Sequence, residues 1–103
     1  MTTKRAFKRP PLAEVEIVAR EDRTEDLTLV WIEKPDGYNF KPGQYCTIGH
    51  DGVERAYSIA SAPHEELIEL FIELVPVEEG GVLTPILWGL SEGDKVTIRP
   101  RAK

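Results

Sequence analysis

Apolar and polar residues along this chain follow the pattern of a small all-β domain. They alternate over residues 12–20 and again over residues 67–75, as in strands with one buried face. Four further segments rich in apolar residues are each bounded by turn-forming residues. The predicted strands cover residues 12–20, 27–33, 44–49, 53–60, 67–75 and 95–100.

The segments between these strands predict the connections. Asp51 and Gly52 both tolerate positive φ, so they predict a tight hairpin between the third and fourth strands. The charged residues 21–26 are predicted to form the turn between the first two strands. Residues 82–88 follow two glycines and predict one short helix that ends at Leu87 or Trp88. Six strands with a short helix before the last predict an antiparallel barrel, whose closure would remove exposed edges.

Length and composition narrow the class of protein. The chain has 103 residues, enough for one domain with a single core. No apolar run approaches the ~20 residues that span a bilayer, and the N-terminus lacks the apolar segment of a signal peptide. We therefore expect a cytoplasmic protein without a membrane partner. The single cysteine, Cys46, and two histidines predict no metal site, and Cys46 is expected to pack within a strand.

The charge is polarised along the chain. The net charge is -5, yet the first ten residues carry +4 and the last five carry +3, so the acidic excess lies between them. A nucleic-acid-binding protein would present a basic stripe interleaved with aromatic residues, so nucleic acid is not expected as a partner. The basic ends are either solvated tails or help to steer an acidic redox protein. We expect residues 1–11, with Lys4, Arg5, Lys8 and Arg9, to be a flexible arm before a domain at 12–103.

Residues 55–58, Arg-Ala-Tyr-Ser, carry the most informative candidate chemistry. In an extended strand Arg55 and Tyr57 share one face and Ser58 lies on the other. An arginine can bind a diphosphate bidentately, a tyrosine ring can cover an aromatic cofactor, and a hydroxyl can bond a heteroatom at its edge. The combination suits a flavin, although an ordinary barrel strand can have the same sequence.

A second candidate motif precedes the predicted helix. Gly80 and Gly81 allow positive φ or close approach of the backbone to a ligand, and Thr84 adds a hydroxyl donor. Amide groups at the start of a helix attract phosphate. The alternative is a glycine turn that only caps a short helix.

These motifs together resemble the flavin-binding domain of the ferredoxin-NADP(H) reductase family, in particular its bacterial branch. The family's Arg-x-Tyr-Ser motif is matched by Arg55, Tyr57 and Ser58, and its Gly-x-x-Ser/Thr motif by Gly81 and Thr84. A Pro-Gly-Gln turn at residues 42–44 and a Gly-Asp turn at residues 93–94 also match. The resemblance spans roughly residues 12 to 101. It implies a Greek-key barrel of six antiparallel strands with FAD on its outside.

The resemblance also implies roles for particular residues. Arg55 would neutralise the FAD pyrophosphate, together with Thr84 and the amides of residues 81–83. Tyr57 would stack on the isoalloxazine ring, and Ser58 would lie near its reactive edge, so these two are the predicted catalytic residues. Phe71 would add a contact beside backbone groups of its neighbours. The predicted cofactor-binding residues are Arg55, Ala56, Tyr57, Ser58, Phe71, Ile72, Glu73, Gly81, Val82, Leu83 and Thr84.

The function implied by the resemblance is electron transfer between NADP(H) and a ferredoxin or flavodoxin. The family's next element is a nicotinamide-binding α/β domain with a glycine-rich turn, and these 103 residues contain no such turn. Alone, the chain is therefore expected to bind FAD weakly and not to oxidise NADPH. Two alternatives remain open: an electron-transfer subunit like those of dihydroorotate dehydrogenases, and a cofactor-free protein-binding barrel.

Overall fold

The computed structural model describes residues 12–103, which form six strands, one 3-10 turn and one α-helix. The strands are β1 (Ala13–Thr24), β2 (Leu27–Glu33), β3 (Tyr45–His50), β4 (Val53–Ser58), β5 (Leu67–Glu73) and β6 (Lys95–Ile98). The 3-10 turn Val77–Glu79 and helix α1 (Leu83–Trp88) lie between β5 and β6. All six strands and α1 were predicted, whereas the 3-10 turn was not. The predicted basic arm, residues 1–11, lies outside the described residues.

The strands form one antiparallel sheet in the order β4-β3-β6-β1-β2-β5. The two edge strands, β4 and β5, approach each other just beyond the end of β4, where Ile59 and Leu70 form an isolated bridge. The next residue, Ala60, donates its amide to the carbonyl of Glu69 at 2.8 Å. The prediction of a six-stranded Greek-key barrel is confirmed as a barrel-like fold. The predicted closure of the barrel is not confirmed, because β4 and β5 share only an isolated bridge and no continuous ladder of hydrogen bonds joins them.

The hairpin between β1 and β2 differs from the predicted one. Residues 21–24, expected in the turn, continue β1, since Glu21 pairs with Leu29 and Asp22 with Thr28. Only residues 25–26 remain as the turn, because Thr24 already pairs with Leu27. The prediction was wrong because backbone pairing does not require an apolar side chain, and the exposed side chains of residues 21–24 can remain in water.

The core lies inside the barrel-like sheet, and Leu83 and Leu87 of α1 pack against it. Its most buried members, each at most 1% exposed, are Ile32, Cys46, Ile48, Ile68, Leu70, Leu83 and Ile98. On β5 the predicted alternation is confirmed, since Leu70 and Ile72 are buried while Phe71 is 53% exposed. Cys46 is buried as predicted, and this burial raises the pKa of its thiol to about 12. The core thus fixes β4, β5 and α1 relative to one another.

Within residues 12–103, no helix has the length and apolar character needed to cross a membrane.

Candidate functional site

A groove of about 480 Å³ lies on the open side of the sheet, between β4, β5 and the loop that leads into α1. It is lined by Tyr45, Arg55, Ala56, Tyr57, Ser58, Phe71, Glu73, Val75, Gly80, Gly81, Val82, Leu83 and Thr84. Ten of the eleven predicted cofactor-binding residues are therefore brought together here. The exception is Ile72, whose side chain is 2% exposed and packs in the core; its contact was predicted through the backbone and stays a prediction. Sequence reasoning missed Tyr45 and Val75, whereas Gly80 was named in the glycine motif but not among the cofactor-binding residues.

The hairpin between β3 and β4 determines which side chains face the groove. Its turn residues, Asp51 and Gly52, have φ values of 50° and 82°, as their tolerance of positive φ predicted. In the resulting register Tyr57 lies opposite the buried Cys46, and Ser58 lies opposite the exposed Tyr45. Residues directly opposite each other share a face, so Tyr57 and Ser58 lie on different faces of β4. Counting outward from the turn would have identified Tyr45 as the neighbour of Ser58.

Arg55 retains most of its hydrogen-bonding capacity. It is exposed, and its Nη1 donates to the backbone carbonyl of Glu54 at 2.7 Å. No ion pair of its guanidinium is found within residues 12–103, and the carboxylate of the neighbouring Glu54 is bound at 2.8 Å by both Nε and Nη2 of Arg99. A guanidinium has five N–H donors, so Arg55 can bind an anion in the groove.

Tyr57 has a buried hydroxyl that makes no hydrogen bond within the described part of the chain. Burial raises the pKa of this hydroxyl to about 12, and the charge of Arg55 opposes the rise. A buried polar group without a partner costs about 1 to 3 kcal/mol. Tyr57 also lines the groove, so a ligand bound there would lie against this residue.

Glycine is required at the two positions before α1 for different structural reasons. Gly80 has a φ of 93°, which strains residues other than glycine. A Cβ on Gly81 would lie 1.6 Å from the backbone oxygen of Val75, so only glycine fits there. The Gly81 amide donates to the Pro76 carbonyl at 2.9 Å. It is therefore already bonded within the loop, which leaves the amides of Val82 and Leu83 as the predicted phosphate donors.

Thr84 holds this loop against the end of β5. Its buried hydroxyl accepts the Val75 amide at 2.8 Å and donates to the Val75 carbonyl at 3.1 Å. The hydroxyl hydrogen is thus already used within the protein, and a contact of Thr84 with phosphate stays a prediction. At the start of α1, the N-cap residue Val82 makes no side-chain capping bond.

The rim of the groove is apolar. Phe71 and Tyr45 are 53% and 48% exposed, and Val75 and Val82 also expose large apolar side chains beside them. Apolar and aromatic rims of this kind favour a flat ligand that covers them. Flat rings, an arginine with free donors and an unpartnered hydroxyl together fit a ligand with an aromatic ring at one end and phosphate at the other.

Comparison with known proteins identifies the fold. The chain is 34% identical over 83 residues to ferredoxin-NADP reductase A of Sorangium cellulosum, an alignment covering 77% of this chain and 29% of that protein. It is 46% identical over 66 residues to the ferredoxin-NADP reductase of Pseudomonas aeruginosa, covering 60% and 24%. A ferredoxin-NADP reductase from Neisseria gonorrhoeae, solved with bound FAD and NADP, superimposes with a TM-score of 0.82 at 27% identity, covering 89% of this chain and 38% of that one.

The chain matches the FAD-binding barrel region of ferredoxin-NADP reductases. No protein-family model matches it. The alignments span less than a third of the length of these two curated ferredoxin-NADP reductases. In this barrel, the motifs that suggested the family from sequence alone, Arg-x-Tyr-Ser and Gly-x-x-Thr, lie on opposite walls of one groove.

Proposed function

We propose that the barrel binds FAD in this groove and is the flavin domain of an oxidoreductase that moves electrons between NADP(H) and a ferredoxin or flavodoxin. The observation that carries the proposal is the convergence of Arg55, Tyr57 and the loop at Gly81 on one groove. The similarity to ferredoxin-NADP reductases supports the same cofactor and reaction class.

The residues of the groove divide into two ends. Arg55 and the amides of Val82 and Leu83 would bind the pyrophosphate, because a cation and N–H donors lie on facing walls. Tyr57, with Tyr45 and Phe71 at the rim, would flank the isoalloxazine ring and keep water from it.

Ser58 lies on the same face as Tyr45 and would donate its hydroxyl to a heteroatom at the ring edge. Bound FAD would supply the chemistry, accepting a hydride and releasing electrons one at a time. The protein's own residues orient the ring and exclude solvent.

The remaining features of the complete protein belong to the same proposal. Residues 12–103 would be the FAD domain, preceded by a basic arm at residues 1–11. NADP(H) would be bound by a separate nicotinamide-binding domain, as the family resemblance implies. We also propose a cytoplasmic location and a soluble electron acceptor with an acidic surface, since the basic residues near both ends of the sequence would favour such a partner.

Flavin titrations with an Arg55 variant test the proposal. The protein is titrated with FAD and with FMN while flavin fluorescence is recorded, because a flavin stacked on an aromatic ring is quenched. We expect tighter binding of FAD, and we expect Arg55→Ala to weaken it by about 2 to 4 kcal/mol, as for a charge-assisted bond to the pyrophosphate. Arg55 is exposed, so its loss should leave the melting temperature nearly unchanged.

A matched control separates this site from charge alone. Arg23 is an exposed arginine of β1 that pairs with Glu21 at 3.3 Å and does not line the groove. Arg23→Ala removes the same charge and should leave FAD affinity unchanged. If FAD does not bind even at the high concentrations that weak binding by this domain alone requires, or if both variants bind it as the unmodified protein does, the proposed site is wrong and a cofactor-free barrel becomes the better description.

A further inference from the structure

One arginine of β1 holds the end of α1 that is remote from the groove. Arg20 Nη1 donates to the carbonyl oxygens of Trp88 and Leu90 at 2.9 and 2.5 Å. The guanidinium carbon also lies 5.4 Å from the centroid of the Trp88 ring, within cation–π range. The last carbonyls of a helix lack intrahelical donors and carry partial negative charge. Arg20 therefore satisfies the carboxyl end of α1.

Arg20 is itself fixed by the sheet. Its Nε donates to Asp22 Oδ1 at 2.8 Å, and the same oxygen accepts the Thr28 hydroxyl at 2.8 Å. Thr28 lies on β2 and is 2% exposed. The Arg20 and Thr28 hydrogen bonds lower the pKa of Asp22 below its ordinary value, so the carboxylate stays charged at neutral pH. The Arg20 side chain is only 15% exposed.

A surface depression of about 600 Å³ lies beside Arg20, but the polar groups on its wall form a bonded scaffold and not an open site. The Nε and Nη1 atoms of Arg20 and the Asp22 carboxylate on its wall are already bonded within the protein. The depression thus offers few free hydrogen-bonding groups to a ligand. The hydrogen bonds of Arg20 instead hold the carboxyl end of α1.

Helix α1 depends on such contacts for its position. It has six residues, about 9 Å in length, and helices this short are unstable on their own in water. Leu83 and Leu87 anchor its apolar face in the core, and Thr84 binds Val75 at its amino end. Arg20 supplies the corresponding hold at the carboxyl end. Because Leu83 and Thr84 line the groove, a shift of α1 changes the groove directly.

We propose that Arg20 is a positioning residue for the phosphate end of the groove, acting through α1 without touching the ligand. The inference rests on the proposed function, because it concerns how FAD is bound. Only the phosphate end depends on α1: Val82 and Leu83 belong to α1 and its entry, whereas Tyr45 and Tyr57 at the ring end belong to β3 and β4, and the remaining phosphate ligand, Arg55, also lies on β4. Loss of Arg20 should therefore weaken binding of the pyrophosphate and spare binding of the ring.

The test compares FAD with riboflavin, which has the same ring and no phosphate. For Arg20→Gln we expect FAD affinity to fall about tenfold, the loss that corresponds to one charge-assisted hydrogen bond from a displaced Val82 or Leu83 amide to the pyrophosphate. Riboflavin affinity should change by no more than about twofold, which corresponds to about 0.4 kcal/mol. Arg20→Lys keeps the charge and should recover part of the loss. Arg23→Gln, on the same strand, should change neither affinity.

Hydrogen exchange in the ligand-free protein gives a readout that does not depend on flavin. In Arg20→Gln we expect faster exchange of the amides of residues 82–90 and unchanged exchange in β3 and β4. Equal weakening of FAD and riboflavin, or faster exchange throughout the sheet, would show a general loss of stability and overturn the inference. If Arg20→Gln does not fold, Asp22→Asn, which removes the carboxylate that orients Arg20, is measured in the same way.

The two proposals fail separately. If the unmodified protein binds neither flavin, the proposed function is wrong, whereas the exchange pattern still decides whether Arg20 positions α1. If FAD binds and Arg20→Gln retains its affinity, the positioning role is wrong and the flavin site stands.

Discussion

The two ends of helix α1 lie in regions that differ in how their polar groups are bonded. At the Trp88 end, Arg20 and Asp22 bond to each other and to neighbouring groups, so their hydrogen bonds are made within the protein. At the Leu83 end, the Tyr57 hydroxyl makes no hydrogen bond within residues 12–103, and Arg55 bonds the carbonyl of its own neighbour. Buried polar groups are normally bonded, so the unbonded Tyr57 hydroxyl distinguishes this end of α1 from the bonded groups around Arg20.

Exposed apolar side chains show the same contrast. Of the seven large apolar residues exposed in the described chain, four line the groove: Tyr45, Phe71, Val75 and Val82. Single exposed apolar residues are ordinary, but a cluster beside unbonded polar groups marks a binding surface. The Arg20 end is a bonded scaffold, and the groove end is available to a ligand.

The largest effect is expected from a change that forces the loop before α1 away from the end of β5. In Gly81→Ala the new Cβ would meet the Val75 oxygen, which lies 1.6 Å from its ideal position. The loop must then move away from β5, and we expect a loss of unfolding free energy of about 3 kcal/mol, in the range of severe overpacking. FAD affinity should fall with it, because the same loop carries Val82 and Leu83. Chemical denaturation and flavin titration measure the two effects.

Gly89→Ala is the matched control at the other end of α1. Its Cβ would come no closer than 3.5 Å to the Ile86 oxygen, and its φ is -86°, so alanine fits. This variant should be neutral or up to about 1 kcal/mol more stable, because alanine restricts the unfolded chain. Equal stability of Gly81→Ala and Gly89→Ala would contradict the close approach at Gly81.

A smaller effect, with opposite signs for stability and binding, is expected from Tyr57→Phe. The variant removes a buried hydroxyl that has no partner in the described residues, so we expect the ligand-free protein to gain about 1 kcal/mol. If a polar group of the flavin bonds this hydroxyl, FAD affinity should fall about fivefold. A simple packing tyrosine would change both quantities in the same direction. Thermal melts with and without FAD distinguish the two cases.

The pH dependence of stability provides a second measurement on the same variant. The pKa of Tyr57 is about 12 in the folded protein against an ordinary value of 10.0. The unfolded chain therefore releases this proton first, so stability is present below pH 10 and is lost as the pH rises toward 12. Tyr57→Phe should reduce the slope of this loss. Burial similarly raises the pKa of Tyr38 to about 12, and Tyr38→Phe serves as a control that lies outside the groove.

Most of the groove residues were predicted because two short motifs, Arg-x-Tyr-Ser and Gly-x-x-Thr, resemble those of a known family. The turn at Asp51 and Gly52 determines the register of β3 and β4, and alternation along each strand then assigns Tyr57 and Ser58 to different faces. The use of Thr84 was not predictable in the same way. Its hydroxyl is bonded to Val75 across a loop whose shape depends on a 3-10 turn without an apolar pattern.

Arg20 gave no signal at all in the sequence. Its bonds to Trp88 and Leu90 join residues 68 and 70 positions away in the chain, so they exist only after the sheet and α1 have packed. An arginine in a strand that alternates polar and apolar residues looks like any exposed charge. Long-range hydrogen bonds from side chains to backbone carbonyls therefore cannot be predicted from local sequence patterns.

The smallest effect is expected at the ion pair of Arg99 and Glu54, which tests whether any arginine near β4 would act as Arg55 does. The pair is bidentate at 2.8 Å, with side chains 30% and 27% exposed. Arg99→Gln should lower the melting temperature only slightly, because partly exposed ion pairs contribute little to stability. FAD affinity should be unchanged, because Arg99 does not line the groove and its donors are already bonded. A loss of FAD affinity as large as that of Arg55→Ala would mean that binding depends on the overall charge around β4, and the distinction between bonded scaffold and open groove would then have no functional meaning.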